Sequence, residues 1–508
     1  MTGNLYDALL KDPAHASRTF ITHPDGSSLT YGGFADMCAR IGGALVAAGL
    51  QPGDRVAVQV EKSVTALALY LGTVRAGGIF LPLNTAYTPA EIAYFLGDAR
   101  PSIFVCDPRK RDTLEPIAQE AGAKVLTLDA QGKGTLPDAA AAATPLARTS
   151  ERGGKDVAAI LYTSGTTGRS KGAMLTHDNL LSNALVLVDY WRFTGDDVLI
   201  HALPIFHTHG LFVATNVVLA AHASMIFLPK FDPDQIMAAM PRATALMGVP
   251  TFYTRLLQHP GLNKEATRHM RLFVSGSAPL LAETHREWEA RTGHAILERY
   301  GMTETNMNTS NPYEGPRLAG TVGFPLPGVE LRVVDPETGD RLETNAIGMI
   351  EVRGPNVFSG YWQMPEKTAA EFRKDGFFIT GDLGKVDEND YVHIVGRGKD
   401  LIISGGYNVY PKEVEMELDA LPGVVESAVI GVPHPDFGEG IVAAIVLQPG
   451  AVLGEGDIAR ALESRLASYK RPKKIAFVAE LPRNTMGKVQ KNLLREQFAN
   501  SFTAAAAE

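Results

Sequence analysis

The sequence predicts an α/β fold in two parts. These are a large N-terminal domain of layered sheets and helices, which includes a β-rich subdomain, and a small α+β C-terminal domain. The chain has 508 residues, which is too long for a single hydrophobic core. Strand and helix patterns alternate through the N-terminal part, which favours layered, largely parallel sheets. Beyond residue 320 the pattern changes to short strands with turn residues, and a compact β/α pattern occupies the C-terminal part.

The N-terminal alternation can be followed element by element. Residues 55–60 are a short apolar run that predicts a strand, and residues 63–75 have the apolar spacing of a helix that is ended by glycines. Another strand is predicted over residues 79–83. After this the alternation resumes with a strand over residues 157–161 and a helix over residues 177–189. Strands separated by helices in this way predict βα units with parallel pairing.

The domain boundaries follow from changes in composition. Residues 132–154 contain an alanine run and scattered polar residues with little core-forming pattern, so we predict an exposed connector there. The short strands that follow later predict a β-rich subdomain over residues 321–396. The glycine-rich, charged string at residues 396–400 marks a second boundary. We therefore predict an N-terminal domain over residues 1–396 and a C-terminal domain over residues 397–508.

Composition excludes several classes of function. The formal net charge is −8, with 45% hydrophobic and 20% charged residues, so the chain has no basic footprint for nucleic acid or an anionic membrane. No apolar run approaches the roughly 20 residues that span a bilayer, and the N-terminus lacks the pattern of a secretory signal. Cys38 and Cys106 are too few for a metal-ligand cluster or a disulfide framework. A cytoplasmic protein without nucleic-acid or membrane partners is expected.

Residues 162–172 form the most distinctive string, Tyr-Thr-Ser-Gly-Thr-Thr-Gly-Arg-Ser-Lys-Gly, which continues a predicted strand. Its glycines allow backbone N–H groups to turn towards an anion, its hydroxyls add donors, and Lys171 supplies a positive charge. The string is not a Walker A loop, because no glycine directly precedes Lys171 and no serine or threonine follows it. The string predicts a loop that holds a polyphosphate.

Four further strings follow in order along the chain. They are Tyr-Gly-Met-Thr-Glu at residues 300–304, Thr-Gly-Asp at residues 380–382, Gly-Arg-Gly-Lys-Asp at residues 396–400 and Pro-Arg-Asn-Thr-Met-Gly-Lys at residues 482–488. With the loop, they make the sequence resemble the adenylate-forming superfamily, which includes acyl-CoA synthetases, luciferase-like enzymes and the adenylation domains of peptide synthetases. The resemblance extends from near residue 20 to near residue 497. It implies an AMP-forming ligase that activates a carboxylic acid with ATP and transfers it to CoA.

The resemblance implies a set of ATP-binding residues. Within the loop they are Thr163, Ser164, Gly165, Thr166, Thr167, Gly168 and Lys171. Elsewhere they are Glu298, Tyr300, Gly301, Met302, Thr303, Asp382, Arg397 and Lys488. Glu304 and Thr167 would bind Mg²⁺, whose preference for hard oxygen ligands suits a carboxylate. Asp382 would accept hydrogen bonds from the two ribose hydroxyls, since a carboxylate offers two acceptor oxygens.

The resemblance also implies how the two half-reactions are divided. The residues expected to be catalytic are Lys488, Thr303, Glu304 and His207. Lys488 would offset the negative charge of the attacking carboxylate and the α-phosphate. The C-terminal domain would be mobile and would rotate about a hinge at Lys399 before the thioester step. The expected CoA-binding residues are Lys399, Ser404, Gly405, Gly406, Tyr407 and Arg471. Arg471 lies in a basic cluster with Lys470, Lys473 and Lys474, which would meet the CoA phosphates or form a solvated helix end.

The expected acyl pocket predicts a small dicarboxylic acid as substrate. The residues expected to bind the substrate carboxylate are His207, Ser277, Arg255 and Arg299. Two arginines in an acyl pocket would be costly unless the substrate brought a second carboxylate. The strings at residues 248–253 and 298–310 resemble malonyl-CoA synthetases in particular, which implies malonate, with methylmalonate as a further acid. The alternative is that either arginine pairs with a protein carboxylate such as Glu298 or Glu304.

Three other functions are compatible with the sequence. The same fold would serve another acid, such as methylmalonate, acetate or a medium-chain acid. The chain would alternatively load a carrier protein, although no serine-bearing carrier motif is present. The third is an inactive nucleotide-binding regulator, but such proteins usually lose Lys488 or Glu304, and both are present. The resemblance also implies a regulatory lysine acyltransferase that would act on Lys488.

Overall fold

The structure is a computed structural model that describes residues 3–163, 170–404, 407–463, 465–466, 468–484 and 487–502. Its backbone contacts divide the chain into two compact units. The first unit comprises Met1–Ala319, Gly323–Glu330 and Val352–Phe378. The second unit comprises Gly320–Val322, Leu331–Glu351 and Ile379–Glu508. The second unit thus takes in segments that precede residue 397, and the domain boundary after residue 396 stays a prediction.

The described residues form helices and strands along the whole chain. The helices are α1 (Leu5–Leu10), α2 (Tyr31–Ala47), α3 (Val64–Arg75), α4 (Pro89–Ala99), α5 (Arg111–Glu120), α6 (Thr135–Ala142), α7 (His177–Tyr190), α8 (Thr215–Ala220), α9 (Pro233–Ala239), α10 (Pro250–Leu257), α11 (Ala282–Thr292), α12 (Pro365–Ala370), α13 (Pro411–Asp419), α14 (Glu455–Glu463) and α15 (Lys491–Phe498). The strands are β1 (Thr19–Thr22), β2 (Ser28–Thr30), β3 (Arg55–Gln59), β4 (Ile79–Pro82), β5 (Ile103–Cys106), β6 (Lys124–Thr127), β7 (Val157–Thr163), β8 (Lys171–Thr176), β9 (Val198–His201), β10 (Ser224–Phe227), β11 (Ala245–Gly248), β12 (Leu272–Ser275), β13 (Leu297–Met302), β14 (Asn306–Ser310), β15 (Phe324–Pro325), β16 (Glu330–Val334), β17 (Gly348–Arg353), β18 (Phe378–Val386), β19 (Val392–Arg397), β20 (Ile402–Ser404), β21 (Tyr407–Val409), β22 (Val424–His434), β23 (Gly438–Leu447) and β24 (Lys474–Phe477). Within these described parts, no helix is both long and apolar enough to cross a membrane.

The first unit is built on two largely parallel sheets, which confirms the predicted α/β fold. One sheet has the strand order β15-β14-β13-β12-β11-β9-β10-β1-β2, and its neighbouring strands from β13 to β1 pair in parallel. The other has the order β6-β5-β3-β4-β7-β8, in which β7 and β8 pair antiparallel and the other neighbours pair in parallel. Strands β3, β4 and β5 are buried along nearly their whole length. Burial on both faces explains why they read as continuous apolar runs.

The N-terminal cap of helix α7 also binds the segment around Pro355 and Val357. Thr176 and Asn179 form a reciprocal cap at its N-terminus, in which each backbone N–H donates to the other residue's side chain, at 2.9 and 3.1 Å. The Asn179 amide then donates to the carbonyls of Pro355, at 2.7 Å, and Val357, at 2.9 Å. These bonds hold the segment that carries Tyr361 against the helix that follows β8.

The second unit contains most of a four-stranded sheet, β16-β17-β18-β19, and a five-stranded sheet, β21-β20-β23-β22, with β24 beside β23. Alternate residues of β22 and β23 point to opposite faces, as strand geometry requires. Val429 and Ile441 pack in a core that also contains residues of α13 and α14. Ile430 and Val442 pack in a separate core with Leu494 of α15. This unit contains the compact β/α pattern of the C-terminal sequence.

Residues 132–154 differ from the exposed connector predicted for them. Helix α6 lies there, buries Leu136 and Ala140, and contacts α2. Beyond the helix, the Leu146 N–H donates to the Ala39 carbonyl at 3.0 Å, and the Leu146 carbonyl accepts from the Arg75 guanidinium at 2.7 Å. Alanines pack closely on a neighbouring helix without large apolar side chains, so the periodic apolar signal is weak although the segment is packed.

Candidate active site

The predicted phosphate loop connects the two strands of a hairpin. Strand β7 ends at Thr163 and β8 begins at Lys171, and these two residues pair directly across the antiparallel ladder. The hairpin therefore brings both ends of the loop together at the edge of the sheet. The predicted loop residues Ser164, Gly165, Thr166, Thr167 and Gly168 lie outside the described residues.

Lys171 is buried, with 6% of its surface exposed, and its ammonium is held by an acidic side chain. Lys171 Nζ donates to Glu371 Oε1 at 2.9 Å and lies 4.2 Å from the centroid of the Tyr361 ring. Glu371 also accepts from Lys367 at 2.9 Å. Burial raises the pKa of Glu371, but hydrogen bonds from Tyr361, Lys367 and Lys171 outweigh it and hold the pKa below its ordinary value.

Glu304 belongs to the same buried group. The Tyr361 hydroxyl lies 3.0 Å from Glu304 Oε1 and 2.6 Å from Glu371 Oε2. The Glu304 carbonyl accepts from the Phe358 N–H at 2.8 Å, which ties the β13–β14 turn to the segment of Tyr361. A buried carboxylate supplies the hard oxygen that Mg²⁺ prefers, so the donor chemistry of Glu304 fits the predicted metal.

The other predicted nucleotide residues of the first unit lie on β13 and in the turn that follows it. Tyr300 and Glu298 are buried, and Gly301, Met302 and Thr303 are half-buried. The Glu298 carboxylate accepts from the Leu280 N–H at 3.2 Å. A side chain at Gly301 would collide with the carbonyl of Asn306, so the return of the chain into β14 requires glycine there.

The second unit brings four predicted residues together. Asp382 and Arg397 pair across β18 and β19, and Arg397 Nε lies 2.6 Å from Asp382 Oδ1. Lys488 is exposed as a whole residue, whereas its ammonium lies among the side chains of this group. Burial of that ammonium, together with the charges of Arg397 and Lys399, lowers the pKa of Lys488 to about 8, although Asp382 opposes the shift. The charges of Asp382 and Arg397, which are both predicted to bind ATP, therefore act directly on the predicted catalytic lysine, Lys488.

Arg299 has the most unusual environment of the predicted acyl-pocket residues. It lies on β13 with 3% of its surface exposed, and its Nε and Nη2 atoms have no hydrogen-bond partner among the described residues. Burial lowers the pKa of Arg299 to about 9, opposed by Tyr253 and Glu298. A Cβ atom at Gly276 would collide with its guanidinium, so glycine leaves the space that the arginine occupies.

Ser277 and His209 lie beside Arg299. Ser277 has a φ of 73°, a conformation that costs energy in a residue with a side chain and often occurs at functional sites. Its Oγ lies 3.3 Å from His209 Nδ1. His209 is fully buried, and burial and then the positive charge of Arg299 hold its pKa well below the ordinary value. The imidazole is therefore neutral and offers a hydrogen bond without adding charge.

The other two residues predicted for the acyl pocket are His207 and Arg255. His207 Nδ1 accepts from the His209 N–H at 3.3 Å, so the pair shares one turn of chain. Arg255 of α10 is exposed, and its guanidinium lies 5.7 Å from the centroid of the Phe231 ring. The described contacts therefore do not bring Arg255 to Arg299, and the expected convergence of the two arginines is not observed. On α10 the neighbouring Tyr253 points into the core instead, because residues two apart on a helix face different sides.

The predicted CoA residues belong to the second unit, where Ser404 and Tyr407 pair across β20 and β21. Ser404 is buried at the end of β20, and Lys399 is exposed. Tyr407 is exposed and stacks on Tyr469 with ring centroids 4.7 Å apart. Gly405 and Gly406 lie outside the described residues. The Arg471 guanidinium donates to the carbonyls of Leu466, at 2.9 Å, and Glu463, at 3.0 Å, so it also closes the turn after α14.

Sequence reasoning missed three residues of these groups: His209, Tyr361 and Glu371. His209 had a local signal, because it lies two residues after the predicted His207. Tyr361 and Glu371 had none, since neither belongs to a predicted motif and Glu371 is 200 positions from Lys171. Their roles depend on tertiary contacts.

Comparison with known proteins identifies the family of this chain. The family model described as AMP-binding enzyme matches residues 11–362, and the model of the AMP-binding enzyme C-terminal domain matches residues 413–488. The chain is 36% identical over 482 residues to a malonate–CoA ligase of Arabidopsis thaliana, covering 88% of this chain and 78% of the relative.

Solved structures show the same likeness. The crystal structure of ATP-bound MatB from Rhodopseudomonas palustris is 65% identical with a TM-score of 0.97, covering 99% of this chain and 100% of that chain. A benzoate CoA ligase from Burkholderia xenovorans LB400 is 27% identical with a TM-score of 0.87, covering 97% and 99%. The protein is therefore a member of the AMP-binding enzyme family, the adenylate-forming enzymes.

Proposed function

We propose that this protein is a malonate–CoA ligase that works in two steps. In the first step, a malonate carboxylate oxygen attacks the α-phosphorus of ATP, pyrophosphate leaves, and malonyl-adenylate forms. In the second step, the CoA thiol attacks the acyl carbon, the acyl–phosphate bond breaks, and malonyl-CoA and AMP are released. The similarity to the Arabidopsis ligase and to MatB supports this proposal. The environment of Arg299 is the observation that carries the choice of a dicarboxylic acid.

The buried guanidinium of Arg299 requires an anion. Burial of an unpaired charge is costly, and two of its nitrogen atoms lack partners among the described residues. A planar guanidinium binds a carboxylate through parallel hydrogen bonds, so the distal carboxylate of malonate would satisfy it. Ser277 and neutral His209 would supply further hydrogen bonds. A monocarboxylic acid such as acetate would leave the guanidinium unsatisfied.

Charge compensation accounts for the first step. A carboxylate that approaches a phosphate is repelled by it, so positioned cations lower the barrier. We assign Lys171 to the terminal phosphates and Lys488 to the attacking carboxylate and α-phosphate. Asp382 and Arg397 would hold the ribose. Glu304 would hold Mg²⁺, which when bound neutralises phosphate charge.

The second step requires access for a thiol. We propose that the second unit reorients about Lys399 between the steps, so that Lys488 leaves the acyl carbon. Residues near Ser404 and Tyr407 would then meet the pantetheine arm. We further propose that an acyltransferase modifies Lys488.

An acid panel tests the proposed function. The purified protein is incubated with ATP, Mg²⁺ and CoA, and AMP formation is measured with malonate, methylmalonate, acetate, octanoate and benzoate. We expect malonate to give the highest kcat/KM and acetate to be poor. A preference for a monocarboxylic acid would overturn the choice of substrate. Pyrophosphate release without CoA acylation would instead indicate transfer to a carrier protein.

The pH dependence of adenylate formation should reflect Lys488. Its pKa of about 8 means that the ammonium is charged below this pH and loses its proton above it. If the cation is required, kcat/KM for adenylation should be level below pH 8 and fall as the pH rises through 8. A pH profile of pyrophosphate release measures this. In the Lys488→Arg variant, kcat/KM should no longer fall above pH 8, because arginine stays charged. If kcat/KM still falls in this variant, a group other than Lys488 causes the fall.

Gly276 offers an independent test of the acyl pocket. In Gly276→Ala the new methyl group would occupy the space of the Arg299 guanidinium and displace it. We expect kcat/KM for malonate to fall by about 10- to 100-fold, since a misplaced charge partner loses much of its interaction. Malonate and acetate kinetics with a melting curve measure this. Equal losses for both acids, or an unchanged preference for malonate, would contradict the assignment.

A further inference from the structure

The first unit joins a phosphate-loop residue to an acidic side chain outside every predicted motif. Lys171 Nζ lies 2.9 Å from Glu371 Oε1, and the side chains of the pair are 8% and 18% exposed. Glu371 Oε2 accepts from the Tyr361 hydroxyl at 2.6 Å. Lys367, one helical turn before Glu371, adds a second ammonium at 2.9 Å. Glu371 therefore lies beside the Lys171 ammonium and has two other partners of its own, Tyr361 and Lys367.

This arrangement places a carboxylate where a phosphate would need the same cation. A buried ammonium is costly without a counter-ion, and Glu371 supplies one. Terminal phosphates that reach Lys171 must compete with the Glu371 carboxylate for the same ammonium. Glu304 adds another negative group, since its Oε1 lies 3.0 Å from the same Tyr361 hydroxyl. Triphosphate binding at Lys171 must therefore work against Glu371.

We infer that Glu371 is a displaceable counter-ion that competes with the terminal phosphates of ATP, and with pyrophosphate, for Lys171. This inference rests on the proposed assignment of Lys171 to those phosphates. Glu371 keeps Lys171 paired in the absence of nucleotide and takes it back as pyrophosphate leaves. It is a positioning residue, because it acts on the ligand through Lys171. Its effect should be confined to ligands that carry the terminal phosphates.

Isothermal titration of the full-length protein with MgATP, pyrophosphate and AMP, without acid or CoA, tests this inference. Glu371→Gln removes the charge and keeps a side-chain oxygen for Lys171. We expect the Kd values of MgATP and pyrophosphate to fall by about three- to tenfold, the scale of a partly buried ion pair. The Kd of AMP should stay unchanged. Glu366→Gln, which neutralises an exposed carboxylate on α12, is the matched control and should change none of the three.

A double-mutant cycle isolates the pair. The Lys171→Ala variant should bind MgATP more weakly, and adding Glu371→Gln to it should have no further effect. A Glu371→Gln protein that melts normally and binds MgATP and pyrophosphate no more tightly would overturn the inference. If that variant fails to fold, Glu371→Asp, which draws the carboxylate back from Lys171, must tighten MgATP and pyrophosphate binding to a smaller extent and leave AMP binding unchanged for the inference to survive. If Lys171→Ala leaves MgATP affinity unchanged, the assignment of Lys171 itself fails.

Discussion

Replacing Arg299 with alanine should lower kcat/KM for malonate by about 10²- to 10³-fold and leave acetate turnover nearly unchanged. The physical reason is the burial of the guanidinium beside His209 and Ser277, where a distal carboxylate would lose its charged partner. Removing one partner of a desolvated ion pair costs roughly 3–5 kcal/mol. Acetate has no distal carboxylate and therefore loses no such interaction. Initial rates of AMP formation with both acids measure the difference.

The control for this variant is an exposed arginine. Arg268 lies on the surface with its guanidinium 2.9 Å from Glu265, and Arg268→Ala should change neither acid. Arg255→Ala is informative for a second reason. If Arg255 also binds malonate, its loss should lower malonate turnover as well, whereas the exposed position in the structure predicts a smaller effect than that of Arg299. An equal fall for malonate and acetate in Arg299→Ala would show that the residue supports the fold and does not select the substrate.

Replacing Lys488 with alanine should reduce adenylate formation by about 10³-fold or more and spare the thioester step. The ammonium is the cation that we assign to the approach of two anions, and alanine leaves their repulsion uncompensated. Asp382 and Arg397, which we assign to the ribose, lie near the Lys488 ammonium, and this supports our assignment of Lys488 to the α-phosphate. Single-turnover pyrophosphate release measures the first step, and thiolysis of supplied malonyl-adenylate measures the second.

The two assays separate a catalytic role of Lys488 from a structural one. Lys124 is an exposed lysine at the start of β6, and Lys124→Ala should leave both steps intact. Loss of thiolysis together with adenylation in Lys488→Ala, with a lowered melting temperature, would mean that the substitution disrupts the fold and does not only remove a catalytic cation. Retention of adenylation would remove Lys488 from the proposed mechanism.

The sequence alone was sufficient to predict the features that depend on residues adjacent in the chain. Apolar runs such as residues 55–60 and 79–83 predicted buried parallel strands, since full burial demands apolar side chains at every position. The string at residues 162–172 predicted a strand that runs into a loop, and strand β7 ends at Thr163 as that pattern requires. The segment at residues 132–154 escaped this reasoning, since alanines in α6 pack closely without the periodic large side chains that reveal a helix.

Only the tertiary structure showed which charged side chains are buried and which partners they have. The sequence predicted that Arg255 and Arg299 converge on one pocket. In the structure, Arg255 is exposed over Phe231, whereas Arg299 is buried and two of its nitrogen atoms have no hydrogen-bond partner within the described part of the chain. The pairing of Lys171 with Glu371 spans 200 positions and has no local signature. A sequence motif thus determines which chemical groups are present, because their spacing is local. Burial and the choice of partner depend on which distant segments fold against them, and these two properties decide whether a charge is stabilised, weakened or available to a substrate.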